Sequence, residues 1–461
     1  MYSLWDMRIA HVTDLHLRWH QPGSSATNRR RSRDMVERFK EVLEQIRQEK
    51  VDLLVITGDL LDVPCWLWEN NYGFETDDPA FWLDAAEKDY RLFKQMLDDS
   101  GLRYLTLPGN HDHMQLYRKV FQPQPIVNIA GYRFVSFFDV EGDGHYPRRF
   151  MHERARFDEV MQQHDLPQIH LQHYVIEPVL LEGYPHSYLE SQELSRRIVA
   201  HGGVQFCISG HYHRGTELIQ KGATTFTVGQ AFCDHPHPWR IYEVNPSGIT
   251  MENRTLLTGL PAPRPVVFLD RDGVINDLAS YRVGPEAMRL IPGVARAIVR
   301  LREAGYAVVG ITSQSSIGAG YVTDSVVISV HDKMFRLLAE EGAWLDAMSY
   351  STGAGSQAIL PRYEDLSRVK PSPWQLNDMR DLLNLDFTGS WMIGDRVTDI
   401  QTGLAAGVGA ILVRTGKGRM MEADPANADG LQGVPVVDDL AAAADLILAG
   451  RSAVKQPACC S

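Results

Sequence analysis

Residues 55–62 read VITGDLLD, a short apolar run that ends in Gly58 and Asp59. The aliphatic and β-branched residues before the glycine predict a buried strand, and the glycine predicts the turn that ends it. The same pattern of an apolar run with polar side chains at or just after its end occurs at four other places: HVTDLHL (11–17), LPGNHD (107–112), IHLQHYVI (169–176) and ISGHYHRG (208–215). Helical stretches at residues 35–50 and 84–99 lie between these runs, so residues 8 to about 256 are predicted to form an α/β domain.

The polar side chains at these strand ends are of the kinds that bind transition metals. Strand ends in α/β sheets bring side chains from distant parts of the chain into one crevice. Carboxylate, imidazole and amide ligands together suit Mn, Fe or Zn, and a bridging carboxylate can hold two such ions for phosphoester cleavage. A lone Asp-x-His or a single histidine is common without a metal, so the prediction depends on all five clusters occurring in order. The predicted ligands are Asp14, His16, Asp59, Asn110, His173, His211 and His213.

With these five motifs in order, residues 8 to about 250 resemble the calcineurin-like metallophosphoesterase family, whose DxH, GD, GNHD, H and GHxH motifs they match. The resemblance implies a four-layer α/β sandwich and a two-metal site bridged by Asp59, with His111 as the acid that protonates the leaving group. We expect Asp112 to orient the His111 ring. The implied ligands are Asp14, His16, Asp59 and His213 for one metal, and Asp59, Asn110, His173 and His211 for the other.

The metal motifs do not select between monoesters, diesters and pyrophosphates as substrates. The aromatic-rich region at residues 63–81 is a candidate wall for a base or sugar. A hydrophobic lid or an interdomain contact explains its composition equally well. Its aromatic residues are Trp66, Trp68, Tyr72 and Phe74, followed by Trp82.

A second domain is predicted after the proline-rich run LLTGLPAPRP at residues 256–265. Beyond it, the strand-like runs VVFLD, AVVGITS, WMIGD and AILVRTG alternate with helical stretches such as residues 293–304, which predicts a Rossmann-like parallel sheet. The predicted divisions are a domain at 1–258, a linker at 259–265, a domain at 266–450 and a disordered tail at 451–461.

The first strand of this second domain ends in a candidate nucleophile. In VVFLDRDGVIN (266–276), Asp270 can attack phosphorus and Asp272 can protonate the leaving oxygen. Thr312 and Lys370 are predicted to bind phosphate oxygens. Each motif also occurs as an ordinary turn or helix cap, so the prediction depends on their order. The acidic side chains predicted to hold Mg²⁺ are Asp270, Asp272, Asp395 and Asp399.

These four motifs, in order over residues 265 to about 450, resemble the haloacid dehalogenase superfamily. The short separations between them leave little space for a large cap domain. Within the superfamily, the strings FLDRDGVIN, ITSQSSIGAGY, KPSPW, GDRVTDIQTG and VRTGKG are similar to those of heptose bisphosphate and histidinol phosphate phosphatases. Residues 353–369 contain no cysteine or histidine where that family commonly has a zinc loop, so no structural zinc is predicted. Ala319 replaces a family arginine, and the arginine beside the catalytic lysine is displaced to Arg368, which indicates altered substrate recognition.

Composition narrows the class of function. The net charge of -12 disfavours general binding to nucleic acid or anionic lipid. Five mostly scattered cysteines and the absence of a signal-like start or a long apolar run predict a reduced, cytoplasmic protein without membrane spans. The leading hypothesis is a bifunctional phosphoesterase acting on small phosphorylated sugars or nucleotides. The alternatives are a nucleic-acid end-processing enzyme and a regulatory protein with one inactive domain. The sequence leaves the oligomeric state open.

Overall fold

The computed structural model describes residues 6–25, 30–68, 77–181, 184–245, 247–256, 261–277 and 284–454, with side chains described as far as residue 450. The chain divides into two compact units. The first comprises Met1–Gln21, Arg29–Val63 and Ala80–Gly259, and the second comprises Leu260–Ser461 together with Pro22–Asn28 and Pro64–Pro79. The main division therefore falls at the start of the predicted linker, but two short segments of the predicted first domain group with the second unit.

The first unit contains two large sheets, each with a parallel centre. Their strand orders are β13-β12-β1-β2-β3 and β10-β11-β9-β8-β5-β4, and β6 pairs with β7 in a separate ribbon. Strands β1, β2 and β3 run parallel, as do β5, β8, β9 and β11, so the loops at their carboxyl ends lie on one edge of each sheet. The strands are β1 (Met7–Val12), β2 (Leu53–Thr57), β3 (Tyr104–Leu107), β4 (Ile126–Ile129), β5 (Tyr132–Ser136), β6 (Val140–Glu141), β7 (Pro147–Arg148), β8 (Gln168–Leu171), β9 (Val204–Ser209), β10 (Ile219–Lys221), β11 (Thr224–Val228), β12 (Pro238–Asn245) and β13 (Gly248–Thr255).

Helices cover the outer faces of these two sheets. One apolar cluster joins inward residues of both sheets, such as Val55 and Phe134. A second cluster packs the second sheet against helical residues such as Phe157 and Ile198. These layers confirm the predicted four-layer sandwich. The helices of this unit are α1 (Met35–Gln48), α2 (Pro79–Ser100), α3 (Met114–Phe121), α4 (Met151–Val160) and α5 (Ser191–His201).

The second unit is built on one parallel sheet with the order β16-β15-β14-β17-β18-β19. Apolar clusters lie on both of its faces, which explains the nearly continuous hydrophobic runs of its strands. The predicted Rossmann-like arrangement is confirmed, with β14 near the middle of the sheet. The strands are β14 (Arg264–Asp270), β15 (Ala307–Ser313), β16 (Ala347–Ser351), β17 (Leu385–Gly394), β18 (Gly409–Val413) and β19 (Val436–Val437).

Each connection between successive strands of this sheet contains at least one helix. The last helix ends at Val454 and so extends into the predicted tail, whose residues 455–461 lie outside the described part. No helix among the described residues is long and apolar enough to cross a membrane. The helices are α6 (Val294–Glu303), α7 (Ser315–Gly318), α8 (Asp324–Glu340), α9 (Trp374–Leu383), α10 (Val397–Ala406), α11 (Gly418–Ala423) and α12 (Leu440–Val454).

Two candidate active sites

The N-terminal site is formed by loops that directly follow strands of both sheets in the first unit. Four of its predicted ligands have left-handed backbone conformations, with φ of 54° at Asp14, 50° at His16, 49° at Asp59 and 67° at His211. Such conformations in non-glycine residues cost about 1–3 kcal/mol each and cluster at functional sites. The strained loops therefore mark this edge of the sheets as a candidate site.

Asp59 lies between the two predicted sets of ligands. Its Oδ2 atom is 3.4 Å from Nε2 of His16 and 3.5 Å from Nε2 of His173. The other ring nitrogen of His173, Nδ1, lies 2.7 Å from the carbonyl oxygen of Thr57, so Nδ1 donates and Nε2 faces the site. Nε2 of His173 also lies 3.1 Å from Oδ1 of Asn110. Asp59 thus occupies the position that a bridging carboxylate requires.

The remaining predicted ligands lie around the same point. The Nδ1 atom of His211 is 3.2 Å from Nε2 of His173, and Nε2 of His213 is 3.8 Å from Oδ1 of Asp14. Both ring nitrogens of His16 and Nε2 of His211 are buried without a hydrogen-bond partner. Such atoms are rare because their desolvation is uncompensated. These buried imidazole nitrogens and the adjacent carboxylates fit divalent transition metals.

The charges of this site depend on one another. Burial alone would raise the pKa of Asp59, but the neighbouring rings of His173, His16 and His111 outweigh burial and hold this pKa well below its usual range. Burial would lower the pKa of His173, yet Asp59 and Asp14 raise it to about 9. In the metal-free protein His173 is therefore protonated at neutral pH and pairs with Asp59.

Close packing in the Asn110 loop requires glycine at residue 109. A Cβ atom at Gly109 would lie 2.2 Å from Oδ1 of Asp59 and 2.5 Å from its backbone nitrogen. Two residues on, the backbone N–H of His111 donates to the same Oδ1 atom at 2.9 Å. The glycine of the GNHD motif thus lets this loop reach Asp59 and fixes the orientation of its carboxylate.

The predicted acid His111 is held by two residues that the motifs did not single out. Its Nδ1 atom lies 3.0 Å from Oδ1 of Asp62, and the Arg30 guanidinium lies 3.2 Å from Nδ1 and 3.1 Å from Nε2. Arg30 also pairs with Asp62 at 2.8 Å, and its Nε atom is buried without a hydrogen bond. A fixed cation therefore lies beside the imidazole that would face the leaving group.

The expectation that Asp112 orients His111 is wrong. The Asp112 carboxylate accepts hydrogen bonds from the backbone N–H groups of Leu60, Leu61 and Gly109 and from the Tyr90 hydroxyl. Through these hydrogen bonds, the Asp112 carboxylate connects the loop that carries Asp59 to the loop that carries Asn110. Asp62, three residues after Asp59, holds the His111 ring instead.

Aromatic residues beside His211 form a further part of the site's wall. The ring centres of Tyr184 and His186 lie 5.5 Å and 5.3 Å from that of His211. The Tyr184 hydroxyl donates to Glu141 at 2.8 Å. Burial raises the pKa of Glu141 despite this hydrogen bond. These rings did not belong to any motif, so the sequence offered no signal for them.

The C-terminal site lies at the carboxyl end of β14. The Lys370 ammonium group is 2.7 Å from Oδ1 of Asp270 and 2.5 Å from Oδ1 of Asp399, and all three side chains are buried. The backbone N–H of Arg271 donates to the same Asp270 oxygen at 2.8 Å. The predicted nucleophile is therefore fixed by a lysine that a second carboxylate holds in place.

Asp395 completes a group of three buried carboxylates with Asp270 and Asp399. Its Oδ2 atom accepts a hydrogen bond from the backbone of Lys417 at 2.7 Å, whereas its buried Oδ1 atom has no partner. A Cβ atom at Gly273, where φ is 90°, would lie 2.3 Å from Oδ2 of Asp395. The oxygen-only donors and the unpartnered oxygen fit Mg²⁺.

The Asp272 carboxylate is not part of that group. Arg271 pairs with it at 2.8 Å, and the amides of Asn276 and Gln314 donate to it at 3.0 Å and 3.2 Å. Gln314 also donates to the hydroxyl of Thr312 at 2.9 Å, which places Thr312 in the same network. The Asp272 carboxylate is thus held by Arg271, Asn276 and Gln314, and its parts in proton transfer and in metal binding stay predictions.

Proton affinities differ across this group of acids. Burial, Asp399 and Asp395 raise the pKa of Asp270 to about 8, although Lys370 opposes them. Burial raises the pKa of Asp395 to about 6. Burial would also raise the pKa of Asp272, but Arg271 outweighs it and lowers that pKa. A bound cation would relieve the repulsion between the carboxylates of Asp270 and Asp395.

Comparison with known proteins assigns each site to a family. Residues 7–215 match the calcineurin-like phosphoesterase family and residues 368–443 match the HAD-hydrolase-like family. The D-glycero-beta-D-manno-heptose-1,7-bisphosphate 7-phosphatase of Yersinia pestis is 36% identical over 154 residues, 33% of this chain and 82% of that protein. The enzyme of the same name from Bordetella bronchiseptica is 34% identical over 185 residues, 40% of this chain and 97% of that protein. Because these relatives are 36% and 34% identical to this chain and are matched over 82% and 97% of their length, the chain belongs to the HAD-hydrolase-like family, and its residues 7–215 match the calcineurin-like phosphoesterase family. It is a phosphoric ester hydrolase with a calcineurin-like domain and a HAD-like domain.

The solved structure of the B. bronchiseptica D,D-heptose 1,7-bisphosphate phosphatase, complexed with magnesium and phosphate, is 32% identical to this chain. The similarity covers 40% of this chain and 99% of that one, with a TM-score of 0.36. A dimetal phosphatase from Danio rerio is 13% identical over 54% of this chain and 96% of that one, with a TM-score of 0.38.

The aromatic region at residues 63–81 has another role than the predicted substrate wall, as far as it is described. Trp66 is buried and its indole N–H donates to Asp332 of α8 at 2.9 Å, within the second compact unit. Asp77 pairs with Arg336 of the same helix at 2.7 Å. Tyr72 and Phe74 lie outside the described residues. These contacts hold Trp66 and Asp77 on α8 within the second compact unit, and for the other aromatic residues the substrate wall, the lid and the interdomain contact all stay predictions.

Proposed function

We propose that the chain hydrolyses phosphoesters at two chemically distinct centres. In the calcineurin-like domain, the reaction is two-metal hydrolysis of a phosphomonoester or phosphodiester. In the HAD-like domain, it is Mg²⁺-dependent hydrolysis of a phosphomonoester through an aspartyl-phosphate. Small phosphorylated sugars or nucleotides are the proposed substrates, supported by the similarity of the HAD-like domain to heptose bisphosphate phosphatases.

In the calcineurin-like domain, the placement of Asp59 between His16 and His173 is the observation that carries the proposal. The proposed ligands are Asp14, His16, Asp59 and His213 for one metal and Asp59, Asn110, His173 and His211 for the other. When bound, the metals would supply an activated water and stabilise the charge on the phosphoryl oxygens. His111 donates a proton to the leaving oxygen, and Asp62 holds its ring in position for that step.

In the HAD-like domain, the contact of Lys370 with Asp270 carries the proposal. Asp270 attacks phosphorus, the bond from phosphorus to the leaving oxygen breaks, and Asp272 donates a proton to that oxygen. Asp272 then takes a proton from the water that hydrolyses the aspartyl-phosphate. Lys370 and Thr312 bind the phosphoryl oxygens. The Arg271 contact stabilises the ionised form of Asp272, which suits its base role in the second step.

Mg²⁺ would be held by Asp270 and Asp395, with Asp399 held close through Lys370. When bound, it would shield the nucleophile from an anionic substrate. The pKa of Asp270 is raised to about 8, so its protonated form is favoured at neutral pH. A bound cation would favour the ionised carboxylate, which is the form that attacks phosphorus.

Two isosteric variants test whether both centres are active. Phosphate release is measured for wild type, Asp59→Asn and Asp270→Asn with Mn²⁺ or Mg²⁺, on sugar bisphosphates, nucleotides, cyclic nucleotides and oligonucleotide ends. We expect each variant to lose a different set of substrates. Asp52→Asn and Asp381→Asn, at exposed acids, are the matched controls and should retain both activities.

The same measurement separates the alternatives. Loss of neither activity would contradict the proposed mechanism. Phosphate release confined to oligonucleotide ends would favour nucleic-acid processing. If wild type shows a single activity and only one of the two variants loses it, a regulatory role for the other domain is favoured.

A further inference from the structure

A buried cysteine lies against the metal-binding loops of the calcineurin-like domain. Cys233 lies in the loop that follows β11. Its backbone N–H donates to the carbonyl oxygen of Asp14 at 3.0 Å. The preceding residue, Phe232, donates to the carbonyl oxygen of Thr13 at 2.8 Å. Two backbone hydrogen bonds thus fix the cysteine beside the loop that carries Asp14 and His16.

The Cys233 sulfur belongs to a group of potential metal-binding atoms. One atom each of His16, His213 and Cys233 lies within 4.8 Å of the other two. Both ring nitrogens of His16 are buried without a hydrogen-bond partner. The Cys233 thiol makes one weak hydrogen bond, to Asp234 at 3.8 Å. The group therefore combines a weakly engaged sulfur with an imidazole whose ring nitrogens lie 3.4 Å from Asp59 and 3.6 Å from Asp62 without forming a hydrogen bond.

Another buried cysteine of this domain, Cys207, provides a comparison, because Arg149 is the charged side chain that acts on it and no predicted metal ligand does so. Cys207 lies in β9 and belongs to a cluster of apolar side chains that includes Phe137 and Phe157. Cys233 is equally buried, and burial together with Asp234 raises its pKa well above the usual range, so the thiol stays neutral until a cation binds. Arg30, Asp14 and Asp59 of the metal site also act on it. Cys233, unlike Cys207, therefore lies among the charged groups of the metal site.

We infer that Cys233 supplies a sulfur ligand to the metal bound by Asp14, His16, Asp59 and His213. This inference rests on the proposed two-metal function and adds a residue that the five motifs do not contain. On binding, the S–H bond breaks, a metal–sulfur bond forms and the proton passes to solvent, without any change in oxidation state. A thiolate is a soft ligand, so it shifts this position towards Zn²⁺ and away from Mg²⁺ and Mn²⁺.

Cobalt substitution provides a readout independent of activity, because a thiolate bound to Co²⁺ gives an intense near-ultraviolet charge-transfer band. The experiment uses the full chain with Cys459 and Cys460 replaced by serine, which removes the adjacent cysteine pair near the C-terminus. Absorption spectra and bound Co²⁺ are measured for this parent and for its Cys233→Ser, Cys207→Ser and Asp59→Asn variants. We expect the band in the parent and in Cys207→Ser, and its loss in Cys233→Ser.

The outcomes distinguish the inference from the function on which it rests. If the parent binds Co²⁺ in an Asp59-dependent manner but shows no band, or if the band persists in Cys233→Ser, the role of Cys233 is overturned and the two-metal proposal stands. If Co²⁺ binding does not depend on Asp59, both fail. Should Cys233→Ser not fold, zinc K-edge absorption of the Zn²⁺-loaded parent replaces it. A sulfur atom bound to zinc, still present in Cys207→Ser, supports the inference. Zinc bound only by nitrogen and oxygen atoms overturns it.

Discussion

The two sites gather anionic oxygens in different ways. The HAD-like site carries its own cation, because Lys370 lies 2.7 Å from Asp270 and 2.5 Å from Asp399. The calcineurin-like site balances Asp59 with protonated His173, and it leaves both ring nitrogens of His16 without a hydrogen bond. In the calcineurin-like site, a metal that binds His173 must displace its proton. In the HAD-like site, a metal would bind beside Lys370, which keeps its charge.

This difference has a physical cause in the chemistry proposed for each site. A covalent nucleophile must approach a negatively charged phosphoryl group, so a permanent cation beside Asp270 is useful throughout the cycle. In a two-metal site the cations themselves supply that charge, and the protein must provide neutral nitrogens and a bridging carboxylate. Each prediction below changes one element of this comparison.

The largest effect is expected for Lys370→Met, which removes the built-in cation while keeping a long side chain. It leaves Asp270 and Asp399 facing each other and deprives the phosphoryl group of an electrostatic partner. We expect a loss of about 10²–10³-fold in kcat for the HAD-like activity. Steady-state kinetics on a substrate lost in Asp270→Asn measures it, and Arg380→Ala, at an exposed ion pair, is the control. A loss below tenfold would show that the lysine is not needed for turnover.

A smaller effect is expected for Arg30→Ala in the calcineurin-like site. Arg30 contacts both ring nitrogens of His111 and pairs with Asp62, so its cation lies where an anionic group of the substrate would approach. Hydrogen bonds to charged groups contribute about 1.5–3 kcal/mol, which corresponds to roughly 10–100-fold in kcat/KM.

Separate kcat and KM values identify what Arg30 does. A rise in KM with kcat retained indicates substrate binding, and a fall in kcat indicates positioning of His111. Arg91→Ala, at an exposed arginine on α2, is the matched control. Unchanged kinetics in Arg30→Ala would contradict both roles.

The smallest effect is on stability and depends on pH. The folded-state pKa of Asp270 is raised from 3.8 to about 8, so the folded protein binds more protons than the unfolded chain between these values. Its stability therefore falls as the pH rises through that window. Asp270→Asn removes this fall, and we expect the metal-free variant to gain stability relative to wild type at pH 8 and little at pH 4.

Thermal unfolding in the presence of a chelator measures this gain, with Asp381→Asn as the control at an exposed acid. An equal shift at both pH values would indicate a cause other than the titration of Asp270. Loss of the gain when Mg²⁺ is added would sharpen the comparison, because the cation takes over the role of the proton.

The sequence by itself determined the parts of this protein that are local. Apolar runs of strand length, each with polar residues at or just after its end, predicted the strands and the loops that carry Asp14, Asp59, His173 and Asp270. The order of the motifs predicted two α/β domains, and it named the proposed ligands around Asp59 as well as Lys370 and the acids beside it. These features could be predicted because strand periodicity and turn chemistry act over a few residues.

Only the tertiary structure decided which side chains serve those residues. Arg30 and Cys233 lie outside the motifs, and Asp62 lies at the end of the VITGDLLD run without having been named as a site residue; all three reach the site because separate loops meet at the carboxyl ends of the strands. Asp112 follows His111 in the chain but binds the backbone of the Asp59 loop, so sequence proximity misassigned it. Trp66 likewise packs on α8 rather than forming a substrate wall. Hydrogen bonds and burial depend on distances between remote segments, and a single sequence does not contain those distances.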